Sequence, residues 1–229
     1  MTKAFLSDVE VLKTKLARFP TNWEGKASIL QLRVAQYNWR QMEWWAFYFE
    51  HLCQQALAPE FHIPGERFGA VTFDIARSVN WDLKSKAIKS DQHNAILNDC
   101  SAMDESISLR GEHGVVIALC DVEYNDADRT FQKWHTALKG GLTKYEKARR
   151  ARTEVSRYRK TRAILTEVLF LRFDATTVLR LGTMHQGRNS NGRPRPPKYM
   201  IDLEEVEPFL VDRLAFPSRP EVITSVAEP

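Results

Sequence analysis

Between Met1 and Arg18 apolar residues fall at Phe5, Val9, Val11, Leu12 and Leu16, the three-and-four spacing of a helix with one buried face, and the pattern stops before Pro20. From residue 27 to 57 the chain runs without Gly or Pro. It repeats that spacing through Ile29, Leu30, Leu32, Val34 and Ala35, then Trp44, Trp45, Phe47, Tyr48 and Leu52, which predicts one long helix or a helix pair. The aromatic cluster Trp39, Trp44, Trp45, Phe47, Tyr48 and Phe49 reads as core or as a dimer seam. After Pro59, Pro64, Gly65 and Gly69 the period changes, and residues 70–76 and 79–84 alternate like two short strands. Residues 114–120 and 163–173 are continuous apolar runs of the kind buried on both faces of a sheet, and 199–203 reads as a last strand. Helical spacing returns over 102–109, over 126–138 with Gly140 and Gly141 as its stop, and briefly over 175–181. Helices alternating with strands predict an α/β fold: a mixed central sheet flanked by helices, with a helical N-terminal part. The expected single domain divides into helical residues 1–58, a core over 66–185, and a C-terminal loop and tail over 186–229.

Composition narrows this picture. A chain of 229 residues with 43% hydrophobic positions can bury a sizeable core, which excludes disorder, collagen and a disulfide-stapled mini-protein. The run 163–173 is broken by Glu167 and Arg172, and no apolar stretch approaches a bilayer span. The N-terminus carries Lys3, Asp8, Glu10, Lys13 and Lys15 and has no secretory-signal pattern, so a cytoplasmic location is expected. Cys53, Cys100 and Cys120 lack a CxxC spacing and are read as buried thiols. The modest net charge of +4 hides an asymmetry: residues 141–199 hold 15 Lys/Arg against 4 Asp/Glu, the balance of a segment that meets a polyanion.

Candidate chemistry lies at the change of period. Asp74 sits near the end of the first short strand; Asp82 and Lys84, two apart on the second, leave the same face, and a hairpin brings Asp74 beside them. Two carboxylates held together repel, and a hard divalent cation such as Mg2+, which takes oxygen ligands and keeps several waters, relieves that repulsion. A lysine beside such an ion can orient or deprotonate a water, a set suited to phosphodiester hydrolysis. The competing reading of Asp82 and Lys84 is a solvent-facing salt pair on an edge strand. A second acid-x-Lys triplet, Glu24-Gly25-Lys26, lies between Pro20 and a helix with no alternating strand around it.

Asp74, the gap, and Asp82-Leu83-Lys84 resemble the pattern of the PD-(D/E)XK nuclease superfamily, in particular type II restriction endonucleases. The resemblance covers roughly residues 66–175; Phe73 stands where that family often has Pro, and Asp82 where Glu is common. It implies Mg2+ held by Asp74 and Asp82, water positioned or activated by Lys84, and a homodimer acting on palindromic double-stranded DNA. It also implies a cognate DNA methyltransferase in the same system. Such nucleases often recruit a further acid from a preceding helix, for which Glu43 and Glu50 are available and Glu50 is better placed, after the aromatic run 44–49. The polar run Lys86, Lys89, Ser90, Gln92, His93 and Asn94 could reach the scissile phosphate or its flanks.

Two basic elements are candidate DNA contacts. Residues 144–162 carry nine cations, Lys144, Lys147, Arg149, Arg150, Arg152, Arg157, Arg159, Lys160 and Arg162, opposed only by Glu146 and Glu154. Residues 186–198 place Arg188, Asn189, Asn191, Arg193, Arg195 and Lys198 among turn formers, side chains that match phosphates and base edges. The second segment imitates a phosphate-binding P-loop through Gly187 and Gly192, but Arg193-Pro194 replaces the required Lys-Ser/Thr. No GxSxG, HExxH, EF-hand loop or dinucleotide fingerprint is present, and the six histidines show no metal spacing. The leading expectation is therefore a Mg2+-dependent DNA endonuclease; the rival is a non-catalytic nucleic-acid-binding protein using the same basic block.

Overall fold

A computed structural model describes residues 1–64, 72–88, 93–142, 144–152, 159–188 and 192–217. Its centre is a mixed sheet in which β3 (Asn80–Ala87) pairs in parallel with β5 (His113–Glu123), and β5 pairs antiparallel with β6 (Arg162–Phe173). The outer edge of β6 is shared by β1 (Asn22–Glu24) and β9 (Leu210–Ala215), and β2 (Ile75–Ala76) closes the other side against β3. A second, antiparallel sheet is formed by β4 (Asn94–Asp99), β8 (Lys198–Asp202) and β7 (Gly182–Met184). Six α-helices flank these sheets among the described residues. They are α1 (Lys3–Leu16), α2 (Gly25–Val34), α3 (Trp44–Leu57), α4 (Cys100–Arg110), α5 (Thr130–Leu138) and α6 (Lys144–Arg152). The expected α/β fold with a mixed sheet flanked by helices is the one observed. Among the described residues no helix is long and apolar enough to cross a membrane.

The period-two alternation of β5 explains the layering. Val116, Ala118, Cys120 and Val122 face a core shared with α1, α2, α3 and α5, while Val115 and Ile117 face a second core built with α4, β4, β8 and Phe209. On β3, Trp81 and Leu83 join the first core, which sends the intervening Asp82 to the other side. Trp81 lies opposite Gly114 in the parallel register, and a Cβ at Gly114 would stand 2.3 Å from the Trp81 ring, so only glycine admits the indole there.

Several expected elements take a different form. The apolar stretch over 27–57 is a helix pair, broken after Val34 by Gln36 and Asn38 with positive φ. Trp44, Trp45, Tyr48 and Phe49 are buried in the chain's own core, the first of the two expected readings of the aromatic cluster. The first strand of the hairpin is two residues long, Ile75–Ala76, and is followed by a tight turn that Arg77 N–H closes onto the Val79 carbonyl; residues 70 and 71 lie outside the described residues. The 175–181 segment holds one 3-10 turn, Val178–Arg180. Within the stretch read as a C-terminal loop and tail, the expected last strand over 199–203 is β8, and an unexpected strand, β9, follows it; together they complete both sheets. Cys53 and Cys120 are buried, whereas Cys100 opens α4 and is half-buried.

One carboxylate fixes the hairpin that carries the candidate acids. Asp8 of α1 is fully buried and accepts hydrogen bonds from Arg77 Nη1 (3.0 Å), Ser78 N (3.0 Å), Val79 N (3.3 Å) and Trp81 Nε1 (3.2 Å). Truncating it strands three buried or part-buried N–H donors and one guanidinium. Asp8→Ala is expected to lower the unfolding free energy by about 3–5 kcal/mol in urea titration; a change under about 1 kcal/mol would show that the hairpin does not depend on this anchor.

Candidate active site

The hairpin brings Asp74, Asp82 and Lys84 together as the sequence predicts. Asp74 N–H donates to the Trp81 carbonyl at 3.0 Å, and Leu83 N–H donates to Asp74 Oδ2 at 2.7 Å, so the first carboxylate is strapped alongside β3. Asp82 and Lys84 leave β3 on one face, and Lys84 Nζ lies 3.5 Å from Asp74 Oδ2 and 3.7 Å from Asp82 Oδ1. Lys84 thus bridges the two acids, with a quarter of its side chain exposed against 1% for Asp82. The solvent-facing salt pair on an edge strand does not describe this arrangement.

Glu50, projected from α3, joins them. Burial first, then the negative charge of Asp74, pushes Glu50 up to about 7, against the hydrogen bond it accepts from Tyr37 Oη and the attraction of Lys84. Burial likewise raises Asp74, with Asp82 adding to the shift and Lys84 opposing it. Asp82 goes the other way: burial is outweighed by Lys84, His113 and Asn98, which hold it below the usual carboxylate range. Lys84 sits well above its ordinary value, because its own burial is outweighed by Asp74, Asp82 and Glu50. Three acids share one ammonium, a local excess of negative charge. A cleft of about 390 Å³ opens beside them, lined in part by Glu50, Lys84, Lys86, Phe47, Met184 and Met200.

Two participants escaped the sequence. His113 Nε2 lies 3.0 Å from Asp82 Oδ2 and its Nδ1 lies 2.9 Å from Ser106 Oγ, all three side chains being buried. Asn98 Nδ2 donates to Asp82 Oδ1 at 2.9 Å and to the Thr72 carbonyl at 2.9 Å. A lone polar His opening a run that is apolar on both faces was the available signal for the first. The second lies in β4, which its mixed composition hid. Among the described residues no three His, Cys, Asp or Glu side chains form a ready-made metal site. The cluster nevertheless suits Mg2+, which is commonly held by one or two carboxylates together with waters and substrate phosphates. Asp74 and Asp82 are such donors, and the raised Glu50 and Asp74 mark charge that a cation would relieve.

The remaining expected residues divide. Lys144 and Lys147 are exposed on α6, which also carries Arg149, Arg150 and Arg152; Arg157 lies outside the described residues. Arg159 departs from the expected DNA contact: it is 3% exposed and donates from Nη2 to Glu146 Oε1 at 3.0 Å, an internal ion pair. Lys160 pairs with Glu43 and lies over the Trp45 ring, and Arg162 is held by Glu24 at 3.2 Å and Glu123 at 3.0 Å. These contacts also account for Glu43 and for the Glu24 triplet, which straddles β1 and α2. Arg188, Arg193 and Arg195 are exposed on the connection between β7 and β8, whereas Lys198 pairs with Asp99 at 2.8 Å; Asn189 and Asn191 lie outside the described residues. Of the polar run, Lys86 Nζ donates to the Asn94 carbonyl at 3.0 Å and His93 lies 3.6 Å from Glu204, while Lys89, Ser90 and Gln92 lie outside the described residues.

No family model, curated protein or solved structure matches the chain.

The folded protein keeps the Glu50 proton up to about 7, while the unfolded chain releases it near the ordinary 4.5. The stability tied to that proton is complete below the lower value and is lost as pH rises to the upper one. The wild-type Tm is therefore expected to fall across this window relative to Glu50→Gln, which has no proton to lose. Parallel Tm profiles for the two proteins would contradict the assignment.

Proposed function

We propose that this protein is a Mg2+-dependent endonuclease that hydrolyses phosphodiester bonds in double-stranded DNA, of the restriction type. The observation that carries the reading is the pairing of Lys84 Nζ with Asp74 at 3.5 Å and Asp82 at 3.7 Å, with Glu50 and Lys84 lining one cleft. Asp74 and Asp82 are the residues that would hold Mg2+. When bound, the ion supplies a lowered water pKa and offsets charge on the phosphoryl oxygens. Lys84, held as an ammonium by its three acidic neighbours, acts by orienting the water and the non-bridging phosphate oxygen rather than by taking a proton. Glu50, whose proton is exchanged near neutrality, is the group suited to accept one from water.

The grip on DNA is assigned to exposed Lys144 and Lys147 on α6 and to Arg188, Arg193 and Arg195 of the connection between β7 and β8. Phosphate contacts of this kind position the duplex, and arginine forks read guanine edges. A homodimer acting on a palindrome and a cognate methyltransferase belong to the same reading and rest on the resemblance of the acid-x-Lys hairpin to restriction endonucleases. Arg159, Lys160 and Arg162 are left out of the grip, because Arg159 is buried and Lys160 and Arg162 are only partly exposed.

Asp74→Asn, Asp82→Asn and Lys84→Ala are each expected to reduce plasmid cleavage at least about a hundredfold while gel-shift affinity stays near wild type. Full activity in the Asp82 variant would remove the assignment; intact binding with no cleavage even by the wild type would favour the non-catalytic rival. Replacing Lys144 and Lys147 with Ala should weaken binding to all sequences alike and reduce the log–log salt slope by about 0.9 per lost contact. An unchanged slope would return α6 to an ordinary solvated face.

A further inference from the structure

We propose that His113 is the positioning residue of the acid cluster: with Ser106 behind it, it fixes the orientation of Asp82 so that Oδ1 is the oxygen offered to a divalent cation. The inference rests on the reading of Asp82 as a cation ligand.

The fold delivers the parts from three places. His113 opens β5 and lies opposite Asn80 in the parallel register, so its ring reaches the Asp82 carboxylate on the neighbouring strand. Ser106 comes from α4, the helix that crosses from β4 to β5, and Asn98 from the strand just before that helix. A carboxylate only accepts, so His113 Nε2–H donates to Asp82 Oδ2 at 3.0 Å. On the far side of the ring, Nδ1 shares a hydrogen bond with Ser106 Oγ at 2.9 Å, which holds the imidazole in its orientation. With Oδ2 held this way and Oδ1 steadied by Asn98, the carboxylate cannot rotate, and Oδ1 is the oxygen nearest Lys84, at 3.7 Å.

The series Ser106, His113, Asp82 has the order of a nucleophile, base and acid, yet it does not serve that chemistry. Ser106 is 3% exposed and His113 is fully buried, so no substrate carbonyl can approach the hydroxyl. The relay points inward, from the hydroxyl to the carboxylate. Carboxylates at metal centres are commonly hydrogen-bonded by such outer partners, and losing one typically weakens ion affinity by about 10–100-fold.

The test is Mn2+ binding to the DNA-free protein by titration calorimetry, with thermal unfolding recorded for each variant. Wild type is expected to bind Mn2+. His113→Leu should bind about 10–100-fold more weakly, Ser106→Ala should fall between the two, and His113→Gln, whose amide can replace the Nε2 donor, should recover most of the loss. A folded His113→Leu with wild-type affinity overturns the inference and leaves the nuclease reading standing. If the Leu variant does not fold, Ser106→Ala with unchanged affinity, or His113→Gln with affinity lost in a folded protein, overturns it equally. Failure of the wild type to bind Mn2+ overturns the cation reading of the cluster, and the inference with it.

Discussion

Three carboxylates and one ammonium share a site with little water, and that imbalance governs the rest of the structure. Asp82 is 1% exposed on its side chain and Asp74 17%, so neither can be neutralised by bulk solvent. The protein answers with different means for each acid: a backbone N–H and Lys84 for Asp74, an imidazole, an amide and Lys84 for Asp82, and a tyrosine hydroxyl for Glu50. The means differ in strength, so the three acids separate in pKa, with Asp82 lowered and Asp74 and Glu50 raised. Titratable neighbours pushed apart in this way are typical of sites that do acid–base work.

The scaffold holds this arrangement from both faces of the central sheet. On one face α1 places Asp8 under the turn of the β2–β3 hairpin and against the Trp81 indole, while Gly114 makes room for the ring. On the other, α4 and β4 bring Ser106 and Asn98 to the same carboxylate. The N-terminus is tied in as well: Glu112, just before β5, accepts from Thr2 Oγ1 at 2.6 Å and pairs with Arg172 at 2.6 Å. Glu112 and His113 are neighbours in the chain, so this tether and the Asp82 contact anchor adjoining residues.

Much of this was legible in the chain and some was not, for definite reasons. Long apolar runs such as 114–120 and 163–173 announced β5 and β6, because a strand buried on both faces needs no polar alternation. The Asp74, Asp82 and Lys84 set followed from period-two geometry alone. β1, β4, β7 and β9 were missed because they are short and lie at or near sheet edges, and β4 and β9 carry Asn94, Asn98, Asp99, Asp212 and Arg213. Asp8 and His113 were missed because a single polar residue in an apolar face has no spacing to reveal it. The charge run over 144–162 overstated the free cations: Arg159, Lys160 and Arg162 are consumed by Glu146, Glu43, Glu24 and Glu123, acids that lie far away in sequence for all but the first.

We propose that the acid cluster works through a divalent cation on DNA. The most direct measurement is incubation of the purified protein with supercoiled plasmid in Mg2+ and, in parallel, in EDTA, followed by electrophoresis of the products. A Mg2+-dependent nuclease should give discrete linear fragments with Mg2+ and leave the supercoiled plasmid intact with EDTA. Equal cleavage in both, or no cleavage on any plasmid across a broad range of sequences with Mg2+, would contradict it.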